Sequence, residues 1–169
     1  MSSCRHAVAV LCLSLVGLLA GCGEGGGLET VPTDQCASGK KWTGGDSESA
    51  LMHPGGDCID CHSRKDGPRF VVAGTVAASR RDADDCAGVE GADVIITDAN
   101  QKTYTLKTNE AGNFFLHAGD AQGFALPFTA RVSYQGTVRD MVTPQSSGAC
   151  ASCHTVAGTG GAPGRVNVQ

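Results

Sequence analysis

Two copies of one five-residue string carry most of the chemistry in this 169-residue chain: Cys58-Ile59-Asp60-Cys61-His62 and Cys150-Ala151-Ser152-Cys153-His154. In each, two thiols stand three positions apart and a histidine follows at once. On one turn of helix these three side chains share a face, because residues three and four apart are neighbours there. Two thiols so placed can each add to one vinyl group of the same porphyrin, and the adjacent imidazole then reaches an axial position on the iron. That is the attachment pattern of c-type haem, and it is complete twice. The same four cysteines are also two Cys-x-x-Cys knuckles, and four thiolates in tetrahedral array would close a structural zinc site. The histidines discriminate between the two: zinc held by four thiolates needs neither His62 nor His154, whereas covalent haem needs both. The preferred cofactors are therefore two covalently bound haem c groups, with one Zn2+ as the alternative.

Four further side chains compete for the far side of the two irons. Met52 and His53 precede the first motif, Met141 precedes the second, and His117 lies between them. A thioether ligand raises the reduction potential relative to a second imidazole. His/Met ligation through Met52 and Met141 and bis-histidine ligation through His53 and His117 both fit the spacing. A five-coordinate iron at one site is a third arrangement. The residue pattern leaves these alternatives open.

The start of the chain reads as an export signal. Arg5 and His6 precede an uncharged apolar run over 7–19, too short for a membrane span and suited to a signal-peptide core. It ends in Leu19-Ala20-Gly21-Cys22, which resembles the lipobox of bacterial lipoproteins. The resemblance implies removal of residues 1–21, lipid on Cys22, and a protein held on the bacterial envelope, on its periplasmic or outer-surface side. Several acyl chains on one residue anchor firmly. Of the nine cysteines, Cys4 and Cys12 leave with the signal, Cys22 takes lipid, and four belong to the motifs. Cys36 and Cys86 remain, as a disulfide favoured by an oxidising compartment or as two free thiols. The formal charge of −4 argues against a nucleic-acid partner. Haem propionates would make the surface more negative, so a redox partner protein should offer a basic docking face.

The remaining chain divides by composition. Residues 22–50 are rich in glycine and polar side chains and read as a flexible tether. Residues 51–69 form a first haem-binding segment, with a short helical turn around the motif and loop elsewhere. From 70 to 142 the pattern is that of strands, at 70–77, 92–98, 102–108, 113–117, 128–134 and 136–142, with turns at 98–101 and 135–136. Residues 143–169 are a glycine- and serine-rich second haem-binding segment. Short strands at this spacing predict a mainly β fold built as a small β-sandwich. An even number of strands between the motifs would bring both to one end of it.

Within the strand region, Gly88-Val89-Glu90-Gly91-Ala92-Asp93-Val94, Thr97-Asp98 and Thr108-Asn109-Glu110-Ala111-Gly112-Asn113-Phe114 resemble the carboxypeptidase-regulatory-like, transthyretin-like β-sandwich. The resemblance covers residues 70–142. It implies a seven-strand transthyretin/Ig-like module that acts as spacer or binding scaffold and brings no catalytic residues. With its two flanking motifs the chain is similar to exported dihaem c-type cytochromes, which implies electron transfer. A haem peroxidase or gas sensor would need an open iron beside a distal acid–base group. The chain carries no paired-carboxylate, nucleophile-triad or phosphate-loop pattern, so the expectation is an electron-transfer protein and not an enzyme.

Overall fold

A computed structural model describes residues 48–82 and 88–169. The signal segment, Cys22, the tether up to residue 47, Cys36 and Cys86 lie outside the described residues. The lipid site and the Cys36–Cys86 pairing therefore have no structural counterpart here. No helix among the described residues is long and apolar enough to cross a membrane.

Strand formation follows the two-residue period of the side chains. In β2 (Asp93–Thr97) Val94 and Ile96 are buried while their neighbours are half-exposed. In β3 (Thr103–Lys107) Tyr104 and Leu106 are half-buried between exposed threonines and Lys107. The β2–β3 turn is held by Asp98, whose carboxylate accepts the backbone N–H of Asn100 and of Lys102, each at 2.9 Å. Its second oxygen accepts from Ala125 N–H at 3.3 Å, so a carboxylate only 2% exposed is satisfied by three backbone donors. The hairpin between β5 (Thr129–Tyr134) and β6 (Thr137–Asp140) turns at Gln135-Gly136, with φ of 47° and 81°. Two left-handed residues in succession match the right-handed twist of the flanking strands.

Two antiparallel sheets result: β3-β2-β5-β6, and a pair of β1 (Phe70–Thr75) with β4 (Asn113–His117). They face each other across Val72, Phe114 and Leu116 on one side and Val94, Ile96 and Val132 on the other, closed by Val76, Ala92 and Phe128. This is the small β-sandwich expected from the strand pattern. Six strands form among the described residues, where the family resemblance implied seven. The strand expected over 70–77 ends at Thr75 because Val76 and Ala77 find other partners. Val76 N–H donates to Gly112 O at 2.9 Å and Ala77 N–H to Val166 O at 2.8 Å.

The two flanking segments are built into the sandwich. Gln145 and Phe128 exchange backbone hydrogen bonds of 2.8 and 2.9 Å, and Ala73 N–H donates to Gly148 O at 3.0 Å. Beyond the second motif, Asn167 bridges Ala77 in parallel and Val166 and Val168 pack against the core. On the other side, Gly55 N–H donates to Thr75 Oγ1 at 2.8 Å, and Asn113 Nδ2 donates to Met52 O at 2.9 Å. Both motifs thus come to β1. The cause is the docking of their flanking chain on that strand, and strand parity alone would not have required it.

Candidate haem-binding site

The first motif opens α1 (Cys58–Arg64). Asp57 caps it by accepting Asp60 N–H at 3.0 Å, satisfying one of the orphan donors of the first turn. Cys58, Cys61 and His62 occupy positions i, i+3 and i+4 and share one face of the helix. The helix stops at Lys65, and Gly67 N–H returns to His62 O at 3.0 Å. This turn lets the His62 ring fold back on its own chain, where Nδ1 lies 2.9 Å from Pro68 O. A carbonyl only accepts, so Nδ1 carries the proton and Nε2 keeps the lone pair.

Glycine at 67 is what makes room for that ring. A Cβ there would fall 2.7 Å from His62 Cγ and 2.8 Å from Nδ1, well inside van der Waals contact. Gly67→Ala is therefore expected to swing the imidazole off Pro68 O. In the 15N spectrum of the side chains, His62 should lose its Nδ1–H tautomer signature while His154 keeps its own. An unchanged His62 signal would show that the turn tolerates a side chain.

The second motif repeats the arrangement on a shorter element. Cys150–Ser152 is a single 3-10 turn that Cys153 closes. His154 N–H then donates to Cys150 O at 2.8 Å, so Cys150, Cys153 and His154 again share one side. His154 Nδ1 lies 2.8 Å from Gly164 O, fixing the same tautomer by the same logic. The carbonyl comes from six residues downstream of the histidine in one copy and ten in the other. The two local sequences reach one geometry by different loops. The leading thiols match as well: Cys58 Sγ donates to Gly56 O and Cys150 Sγ to Gly148 O, each at 3.6 Å.

Burial governs the leading thiols. Desolvation, reinforced by the Asp57 carboxylate, pushes the Cys58 thiol up to about 11. Desolvation above all, followed by repulsion from the Cys58 thiolate that forms only at high pH, pushes Cys150 up to about 12. Both are neutral at physiological pH. Gly55, Thr75, Cys150, Ala151, His154 and Arg165 line one shared cleft. Arg165, only 7% exposed, donates from Nε to Asp82 O at 2.6 Å. Among the described residues no three His, Cys, Asp or Glu side chains converge as ligands for a single metal ion.

The distal-ligand candidates fall in different places. His117 belongs to an aromatic cluster on the outer face of β1 and β4. Its ring centroid is 4.9 Å from Phe70 and 5.3 Å from Phe115, and Phe70 in turn lies 4.9 Å from His62. Met52 and His53 lie on the segment leading into α1, His53 with a left-handed φ of 44° and its carbonyl accepting Gly56 N–H at 3.0 Å. Met141 follows β6 in the other sheet, donates its N–H to Ala130 O at 2.8 Å and packs against the core. His117 and the motif histidine His62 thus share Phe70 as a ring neighbour. Motif spacing alone does not assign roles at the site to Gly67, Gly148, Arg165 or the carbonyls of Pro68 and Gly164. The available signal was the wider repeat, Gly-x-Cys-x-x-Cys-His followed by a Gly-Pro or Pro-Gly pair.

In comparisons with known proteins the chain matches no family model, no curated protein and no solved structure.

Proposed function

We propose that this protein is an envelope-anchored dihaem c-type cytochrome that carries electrons between redox partners. The observation that carries the reading is the orientation of the two motif histidines. Each donates Nδ1–H to a backbone carbonyl, at 2.9 and 2.8 Å, and so presents Nε2 from a turn that also presents two thiols. A ligand histidine almost always donates its other ring N–H to such an acceptor, which sets ring orientation and makes the ligand nitrogen more basic. Cys58 and Cys61 would hold one haem with His62 as axial ligand, and Cys150 and Cys153 the other with His154. Bound there, the group supplies one-electron exchange. The chain's own part is to orient the imidazoles and hold the thiols in place. Lipid on Cys22 would tether the protein, and a basic face on the partner would complement its negative charge.

The test is the intact mass of the protein exported from a host with c-type haem maturation machinery, taken together with its reduced-minus-oxidised visible spectrum. Mass for two covalent haems with sharp bands on reduction supports the reading. Apo mass with bound zinc and no visible band sinks it in favour of a zinc-bearing β-sandwich lipoprotein.

A further inference from the structure

We infer that β1 is a common mount that makes the two haem-binding motifs one interacting pair, so that the redox state at either site is felt at the other. The inference rests on the haem reading above and deepens it. Three residues before Cys58, Gly55 N–H is bonded to Thr75 Oγ1. Two residues before Cys150, Gly148 O takes Ala73 N–H. Thr75 and Ala73 are two residues apart on one strand, which at the usual rise puts the mounting points about 7 Å apart.

Gly74, the residue between them, is where the second motif comes down. A Cβ at that position would stand 2.8 Å from Cys150 Cβ and 2.9 Å from the Phe114 ring, so the 3-10 turn rests directly on β1 backbone. Gly55 from the first segment and Cys150, Ala151 and His154 from the second share one cleft. Redox centres carried on mounts this near each other would interact, and salt would screen that interaction only weakly where they are partly buried. Two such groups titrate as a pair, with steps that belong to both.

The test compares the full-length dihaem protein with Cys150→Ala/Cys153→Ala, which can load only the first site. In the oxidised dihaem protein the ferric EPR signals should be broadened and should integrate to less than the haem content. In the single-haem protein one signal should integrate fully. The potentiometric titration should change from two separated steps to one step shifted from both. Gly74→Ala, which lifts the second motif off the strand, should narrow the separation of the steps, whereas Gly119→Ala, with nothing within 4 Å of a new Cβ, should not. A dihaem spectrum with full intensity at both sites, and a first-site potential unchanged in the single-haem protein, would overturn the pairing and leave the cytochrome reading intact. Absence of covalent haem from the wild-type mass would overturn both. The wild-type EPR spectrum decides the matter by itself if either variant fails to fold.

Discussion

Cys58→Ala combined with Cys61→Ala is expected to remove one haem of two and halve the visible absorbance per chain, while the other haem stays attached. The expectation follows from where the fold gets its stability. Val72, Val76, Val94, Ile96 and Phe114 are each no more than 2% exposed and form the core without either motif. The chain leading into the first motif is held through Gly55 and the Met52 carbonyl and that leading into the second through Gly148, while His62 meets Phe70 and Cys150 packs at the edge of the core. Their anchors are separate bonds on a strand already paired with β4. Intact mass and haem content per chain check this. Loss of both haems from the one double substitution would mean that attachment at the second site depends on the first being filled.

Gly148→Ala should have the largest effect on stability. A Cβ at that position would lie 1.8 Å from the carbonyl oxygen of Val71 and 2.8 Å from Val72 Cα. The obstacle is backbone in the middle of a paired strand, which cannot rotate away as a side chain would. Relief requires residues 148–149 to leave β1, breaking the Ala73 N–H bond to Gly148 O and the Ala73–Ala149 bridge. Overpacking of this kind costs about 1–3 kcal/mol, and a clash with fixed backbone belongs at the upper end. Thermal unfolding should shift down by about 5–10 °C for a chain of this size. Haem loading should fall at the second site before the first, because Cys150 follows two residues later. A melting temperature and loading equal to wild type would show that the contact with β1 is dispensable.

Much of this protein was legible from local pattern. Strand alternation at Val94-Ile95-Ile96 and Tyr104-Thr105-Leu106 reports which side faces the core, because side chains on a strand alternate whatever lies around them. The β5–β6 turn was readable from Gln135-Gly136 for a similar reason, since few residue pairs accept two left-handed conformations in succession. The two motifs carry their chemistry in covalent spacing alone. Strand ends were read less well: Val76 and Ala77 look like strand residues, yet they pair with Gly112 and Val166, partners that no local window contains.

Spacing along the chain thus suffices for the identity of each three-residue constellation, because i, i+3 and i+4 side chains meet within a single turn. Their nearness to each other is a property of the tertiary structure. Eighty-odd residues separate Cys61 from Cys150 in sequence, and only the docking of residues 55 and 148 on Thr75 and Ala73 brings them to one strand. The carbonyls that orient His62 and His154 come from loops of different length, whose paths depend on packing against β1 and on Arg80, whose carbonyl accepts Arg165 N–H at 2.9 Å. Periodicity and motif spacing are short-range and survive in any fold; the approach of two distant segments exists only once the core has closed around Val72 and Phe114.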